Sequence, residues 1–308
     1  MKFRFTGKTY AVFAAVLIAL NVWTFVAAYP ETMRIDAGCC TSNSLLAKDF
    51  SAYYTASWRL FHDPSQVYTR GFVNDGEYRV LPQPEAYKYL PSFLVMISPL
   101  LALPYQSALT AFDLVQLLLL PLMAALVYEL VKEKGALATF VVALIALLLP
   151  LPLSSPHWSI TVSYFWQWAE GQSKVLLTFM LLLSLYLGKR GMPRLSGVVF
   201  ALASFDPRFA ILALPLFLIC NSNLRSAISY AIGAFIVANL PIFYPSLASG
   251  LLHMAQGSGL TPPYYYTLIP TFSLAALIVV NYKEIIAFVS RTLGLEPVPL
   301  TTSSQSVG

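Results

Sequence analysis

The sequence predicts an all-α polytopic membrane protein with about eight transmembrane helices and one large hydrophilic loop after the first of them. Two observations lead to this fold class. Of the 308 residues, 57% are hydrophobic and only 11% are charged, whereas a soluble domain carries about 25% charged residues. The apolar residues also form runs near the ~20 residues that a helix needs to cross a bilayer. In so apolar a chain, the net charge of +5 is a topology signal and does not predict a nucleic-acid partner.

The first predicted span covers residues 10–28. Lys2, Arg4 and Lys8 precede it, and positive charges mark the cytoplasmic end of a span, so the N-terminus is expected inside. Val26-Ala27-Ala28 resembles a signal-peptide cleavage site, but the apolar run is long for a signal core. We therefore expect an uncleaved helix, followed by an outer loop over residues 30–106.

The later apolar segments are separated by short basic turns that should face the cytoplasm. Residues 91–104 are short and interrupted by Pro99, so we expect them to turn back within the membrane instead of crossing it. The remaining predicted spans cover residues 107–131, 136–153, 175–187, 195–204, 209–220, 227–244 and 264–282. Residues 1–282 then form a single membrane domain, and residues 283–308 form a cytoplasmic tail.

The most informative part of the outer loop covers residues 48–61. Its aromatic residues, among them Phe50, Tyr53 and Tyr54, repeat at helical spacing, and Asp49 stands at the N-cap position. The pattern predicts an amphipathic helix on the outer membrane surface, with its aromatic side chains at headgroup depth. Asp49 could simply cap this helix or act as a catalytic base, and the spacing leaves both interpretations open.

Several short motifs occur in an order that resembles glycosyltransferase family 87, which belongs to the GT-C class of lipid-dependent glycosyltransferases. The resemblance rests on Asp49-Phe50 with Tyr53-Tyr54, Tyr68, Tyr87-Lys88-Tyr89-Leu90-Pro91, Gly171-Gln172, and Gly197, Pro207 and Pro215 in the two short helices. The family implies transfer of a sugar, typically mannose, from a polyprenyl-phosphate donor to a lipid-linked or glycan hydroxyl. The reaction would take place on the outer face of the cell membrane, among membrane lipids.

The resemblance also implies roles for particular residues. Asp49 matches the general base, a group that typically contributes about 10²- to 10⁴-fold to the rate. Lys88 and Lys174 are candidates for contacting the donor phosphate, or else lysines that reach the membrane interface. The candidate substrate-binding residues are Tyr53, Tyr54, Lys88, Tyr89, Gln172, Lys174 and Arg208. No metal or other cofactor is expected, because a polyprenyl phosphate is already a good leaving group.

One departure from the family pattern lies between the two short helices. The family often has a lysine there, whereas this chain has Phe205-Asp206-Pro207-Arg208. A charge at membrane depth is costly and often functional, so Arg208 could supply the missing cation. Asp206 would oppose phosphate binding, or could be no more than the salt-bridge partner of Arg208.

Two other interpretations stay open at this point. The chain could be a transporter or lipid-handling protein, although no internal repeat of the kind found in many transporters is evident. It could also be a non-catalytic family member that serves as a subunit of another enzyme. Asp113, inside a predicted span, has either a functional or a structural role.

Overall fold

The computed structural model describes residues 7–33, 48–69, 71–73, 81–83, 87–147, 168, 171–243, 245, 247–250 and 268–292. Most of this part of the chain is helical. The helices are α1 (Gly7–Met33), α2 (Lys48–His62), α3 (Pro91–Ile97), α4 (Tyr105–Val131), α5 (Ala136–Ala146), α6 (Lys174–Lys189), α7 (Pro193–Ala203), α8 (Pro207–Cys220), α9 (Leu224–Ala238), α10 (Leu268–Val280) and α11 (Tyr282–Thr292). Short 3₁₀ turns cover Pro64–Gln66, Ser98–Ala102, Lys132–Lys134 and Leu240–Phe243.

Two helical stretches, Gly7–Ala27 and Tyr105–Lys134, are long and apolar enough to cross a membrane. A third would be the pair Ser273–Val280 and Tyr282–Thr292, which is bent by 70°. Five shorter apolar helices accompany them: Pro91–Ala102, Ala136–Ala146, Pro193–Ala203, Pro207–Cys220 and Leu224–Ala238. Within the described residues the membrane character is therefore supported, while the number of about eight spans stays a prediction.

The segment that was expected to turn back, residues 91–104, forms α3 and the 3₁₀ turn Ser98–Ala102. The helical stretch Pro91–Ala102 is ~18 Å long at 1.5 Å per residue. This length is less than the ~30 Å thickness of the hydrocarbon core. The predicted pair of short helices is confirmed as α7 and α8, joined by a turn at residues 204–206. Proline opens each of these three helices, where its missing N–H costs no hydrogen bond.

The outer loop adds a small β element to the predicted all-α fold. Gly71–Val73 pairs antiparallel with Leu81–Gln83, and Phe72 lies opposite Pro82. Aromatic and β-branched residues such as Phe72 and Val73 favour extended backbone, and the all-α prediction did not include this pair. Every other regular element of the described residues is helical.

The predicted helix in the outer loop is confirmed as α2, but two details of the prediction were wrong. Asp49 lies in the first helical turn and not at the N-cap position. Phe50, Tyr53 and Tyr54 do not face headgroups, because protein side chains bury them almost completely. Their rings pack on residues of α3 and α4, where aromatic contacts add to the burial of apolar area.

Close helix packing supports the turn between α7 and α8. A Cβ atom on Gly197 would lie 2.2 Å from the Ala227 carbonyl oxygen, so α7 and α9 approach as closely as glycine allows. Ser184 of α6 and Ser196 of α7 each donate a hydrogen bond of 2.9 Å to the other's carbonyl oxygen. The helix α7, which leads into this turn, is thus packed closely against both α6 and α9.

The basic turns that follow α4 and α6 are neutralised by acidic side chains. Glu129 accepts hydrogen bonds from Lys132 and from Arg190. Lys134 pairs with Glu284 at the start of α11. The predicted tail therefore begins with a helix that is tied to the membrane domain, while residues 293–308 lie outside the described residues.

Candidate active site

The candidate site forms where the start of α6, the turn before α8 and the end of the outer loop meet. Gly171 precedes α6 with φ +62°, and a Cβ atom there would lie 2.6 Å from the Phe50 Cβ. Only glycine fits both the left-handed backbone and this close approach to α2. The Leu90 amide donates to the Phe205 carbonyl oxygen at 3.1 Å, which joins the outer loop to the turn.

An ion network occupies the centre of this site. The Asp206 carboxylate accepts from Arg208 twice, from Nε at 2.9 Å and from Nη2 at 2.8 Å. Lys174 Nζ lies 3.4 Å from Asp206 Oδ2 and donates to the Tyr89 hydroxyl at 3.0 Å. The side chains of Lys174 and Asp206 are only 3% and 1% exposed, whereas that of Arg208 is 46% exposed.

Aromatic rings surround the buried part of the network. Lys174 Nζ lies 5.1 Å from the centre of the Tyr89 ring and 5.4 Å from that of Phe209, both within the range of cation–π attraction. Tyr89 also packs edge-on against Tyr53 and Phe205. These apolar walls exclude water, and electrostatic interactions inside them are stronger than in bulk solvent.

Two buried hydroxyl groups border the network without completing a hydrogen bond. The Tyr53 hydroxyl lies near the side chains of Tyr89 and Ser173, but neither it nor Ser173 Oγ makes a hydrogen bond of good geometry to a described residue. Burial, followed by the nearby Tyr89 and Asp49, raises the pKa of Tyr53 well above its usual value, so its hydroxyl keeps its proton. Buried polar atoms without well-formed hydrogen bonds are rare in native structures, so these two hydroxyl groups mark a polar spot beside the network.

Within the network of Lys174, Asp206 and Arg208, the balance of charge is positive. Burial by itself would raise the pKa of Asp206, but Lys174 and Arg208 outweigh it and hold this pKa below its usual value. One carboxylate therefore faces two cationic side chains. The N-termini of α6 and α8 add further positive potential, so the arrangement favours an anionic ligand.

The structure gathers Tyr53, Tyr89, Lys174 and Arg208 from the predicted set. Gln172 is buried directly before Ser173 at the start of α6.

Four other predicted or suspected residues lie at the edge of the site or away from it. Asp49 is partly buried one turn before Tyr53, close enough for its charge to act on the Tyr53 hydroxyl. Lys88 is exposed. The Tyr54 hydroxyl is committed elsewhere, since it donates to the Leu103 carbonyl oxygen at 2.8 Å. Asp113 is buried within α4.

The role of Asp206 was predicted only in part. Its pairing with Arg208 was one of the interpretations left open, and the structure confirms it, whereas its second pairing, with Lys174, was not foreseen. A signal for this role exists in the sequence, because Lys174 begins a helix, where the helix dipole disfavours a cation. Such a buried lysine needs an acidic partner, and Asp206 supplies it. Among the described residues, no group of three or more His, Cys, Asp or Glu side chains could hold a metal ion.

Comparison with known proteins adds one finding. The sequence model of glycosyltransferase family 87 matches residues 87–256. The matched part includes Lys88, Tyr89, Gln172, Lys174 and Arg208, while α2 with Asp49 precedes it. Neither a curated protein nor a solved structure matches the chain. Because the match covers more than half of the 308 residues, the chain belongs to glycosyltransferase family 87.

Proposed function

We propose that this glycosyltransferase takes its sugar from a polyprenyl-phosphate donor and passes it to a hydroxyl group of a lipid-linked or glycan acceptor. The family resemblance favours mannose as the sugar. The observation that carries the proposal is the buried ion network, in which Lys174 and Arg208 share the single carboxylate of Asp206. Such a site attracts the donor phosphate and stabilises the negative charge that grows on it as the glycosidic bond breaks.

The surroundings of Arg208 favour a lipid-linked donor over a soluble nucleotide sugar. Ile211 and Leu214 follow Arg208 on α8 at helical spacing, and both are exposed apolar side chains. In a membrane, exposed side chains of this kind contact lipid. A prenyl chain could lie along this side of α8 while its phosphate reaches the guanidinium group.

Asp49 is the proposed general base. Its carboxylate is partly buried at the start of α2, one turn before the Tyr53 hydroxyl. In this role it accepts the proton of the acceptor hydroxyl as that oxygen attacks the anomeric carbon. Loss of a positioned base typically lowers the rate by about 10²- to 10⁴-fold. No metal is required by this scheme, since the cations of the site neutralise the leaving phosphate.

The topology is part of the proposal. About eight spans, with both termini in the cytoplasm, would bring the network and α2 to the outer face of the cell membrane. Its support is the position of the basic turns around Lys132–Lys134 and Lys189, at the opposite ends of α4 and α6 from the network. Acceptors on the outer face would then reach Asp49 without crossing the bilayer.

The test is sugar transfer by purified protein in lipid vesicles, with polyprenyl-phosphate mannose as the donor. We expect Asp49→Asn and Arg208→Gln to lose about 10²-fold or more in turnover. The matched control is Arg190→Gln, which breaks a comparable pair with Glu129 far from the site (Nη2 to Oε2, 2.9 Å), and it should keep full activity.

Other outcomes would contradict parts of the proposal. Transfer from a nucleotide sugar but not from the polyprenyl donor would refute the donor class. Full turnover by Asp49→Asn would refute the base. Lipid movement without transfer would favour a lipid-handling protein, and activity only in the presence of another protein would favour an accessory subunit.

A further inference from the structure

The two cations of the site differ sharply in exposure and in their partners. We propose that they have separate tasks: Asp206 positions Arg208, the outer edge of Arg208 binds the donor phosphate, and Lys174 is the buried counter-charge that keeps Asp206 in place. This inference rests on the proposed function. It reverses the expectation that Asp206 opposes phosphate binding.

The pairing of Arg208 with Asp206 fixes the plane of the guanidinium group. Two roughly parallel hydrogen bonds, from Nε at 2.9 Å and from Nη2 at 2.8 Å, engage both carboxylate oxygens. A guanidinium group carries five N–H donors, and within the described part of the chain this side-on pairing leaves the Nη1 edge uncommitted. Since the side chain is 46% exposed, that edge can meet a phosphate in the bidentate geometry that arginine favours.

Lys174 is placed differently. Its side chain is 3% exposed, and its ammonium group is held between the Tyr89 hydroxyl, Asp206 and the rings of Tyr89 and Phe209. A phosphate could reach it only by displacing these partners. A buried ammonium without a counter-ion is strongly unfavourable, so Asp206 and Lys174 depend on each other for their burial.

The net charge explains why Asp206 does not abolish anion binding. It offsets only one of the two cations, and the exposed cation is the one that faces the ligand. The Asp206 carboxylate therefore weakens the attraction of the site for an anion but fixes the orientation of the Arg208 guanidinium group. Asp206 acts through Arg208 and is a positioning residue.

The test compares kcat and KM for polyprenyl-phosphate sugar in wild type and variants. Arg208→Lys keeps the charge but loses the planar fork, and we expect the donor KM to rise by about tenfold. Asp206→Asn keeps an acceptor oxygen but loosens the guanidinium group, and it should raise the donor KM by a similar factor with a smaller change in kcat. Asp206→Glu should restore part of this loss.

A double variant separates positioning from a purely structural role. In the Arg208→Lys background, Asp206→Asn should add little to the donor KM, because the fork that it orients is already absent. Lys174→Met should lower thermal stability and raise the donor KM no more than Asp206→Asn does, because Lys174 acts on Arg208 only through Asp206. Glu129→Gln, which breaks the pair with Arg190, is the control and should change neither constant.

The outcomes distinguish this inference from the proposed function. Wild type without transfer from the polyprenyl donor would refute the proposed function, and the inference with it. Wild-type transfer with an unchanged donor KM in Asp206→Asn would refute only the inference. A larger KM effect in Lys174→Met than in Arg208→Lys would assign the phosphate to the buried lysine instead.

A second, independent observation concerns α11. This helix meets α10 at a bend of 70°, and Tyr282, Ile286 and Val289 form an exposed apolar stripe along one side of it. We infer that α11 lies on an anionic bilayer surface, with this stripe in contact with lipid. Lys283 and Arg291, both exposed, suit anionic headgroups.

Two features support this placement of α11. The Glu284 carboxylate pairs with Lys134, so the acidic side of the helix is held against the membrane domain and not against lipid. A helix at 70° to an apolar neighbour that enters the bilayer lies close to the membrane plane. Exposed apolar side chains on such a helix are costly in water and favourable at the headgroup boundary.

Single cysteines at neighbouring positions can test this placement. In protein whose native cysteines are replaced by serine, Ile286→Cys should react with a water-soluble maleimide at least about tenfold more slowly than Ala287→Cys in vesicles containing phosphatidylglycerol. Ala287 is also exposed but lies about 100° around the helix. The difference should shrink in vesicles of pure phosphatidylcholine.

Three results would overturn this placement. Equal, fast labelling at both positions would show that water surrounds α11. Equal protection at both would show that α10 and α11 cross the bilayer as one broken span. An unchanged difference in phosphatidylcholine would remove the preference for anionic lipid.

Discussion

Replacing Gly171 with alanine tests how the start of α6 is fixed beside α2. Two costs follow from the structure. Alanine at φ +62° adopts a left-handed conformation at a cost of roughly 1–2 kcal/mol. Its Cβ would also lie 2.6 Å from the Phe50 Cβ and 3.0 Å from Leu109 Cδ1, and such overpacking typically costs about 1–3 kcal/mol. The free energy of unfolding should therefore fall by roughly 2–5 kcal/mol.

A control in the same chain separates these two costs. Gly191 has φ +75°, and nothing lies within 4 Å of a Cβ built there. Gly191→Ala should therefore lose only the backbone part, roughly 1–2 kcal/mol. Thermal or denaturant unfolding in detergent, followed by tryptophan fluorescence, measures both variants.

The loss of unfolding free energy in Gly171→Ala beyond that in Gly191→Ala measures the contact between α2 and the start of α6. Because that contact places Asp49 relative to Lys174, sugar transfer should fall in Gly171→Ala and stay near wild type in Gly191→Ala. Equal stability losses in the two variants would refute the reasoning, since they would show that Phe50 moves aside without cost.

Other substitutions address packing, charge and the buried hydroxyl groups. Gly197→Ala should lower the free energy of unfolding by about 2–3 kcal/mol, because its Cβ would meet a carbonyl oxygen of α9 at 2.2 Å. Gly233 has open space around it, so Gly233→Ala should not lower stability in the same unfolding assay. The pKa of Asp206 is lowered on folding, so its stabilising contribution is present above about pH 4 and is lost as the pH falls through the folded pKa. The stability difference between wild type and Asp206→Asn should accordingly stay constant from about pH 7 to about pH 5, and a decline across that window would contradict a lowered pKa. Tyr53→Phe should keep or raise stability, because the hydroxyl makes no well-formed hydrogen bond to a described residue, yet it should lower transfer by about tenfold. Tyr54→Phe loses a hydrogen bond of 2.8 Å and should cost about 1 kcal/mol. The reverse order of stabilities would refute this assignment of the two hydroxyls.

Sequence alone was sufficient for features that depend on neighbours along the chain. The runs that became α1 and α4, the helical spacing of α2, and the proline that opens α8 are local patterns, and the bilayer length scale interprets the apolar runs directly. The order of short motifs also indicated the family, which the match over residues 87–256 confirmed.

Tertiary structure decided which side chains meet and which faces are covered. Lys174 and Asp206 are 32 positions apart, and only the packing of α6, α7 and α9 brings the turn before α8 to the start of α6. The amphipathic pattern indicates that one face of α2 is apolar, but it does not determine whether lipid or protein covers that face. In the structure, protein covers it. The roles of Asp206 and Tyr53 depend on such contacts, because a charge or a hydroxyl group acquires its function from its burial and its partners, and neither is encoded at a single position of the sequence.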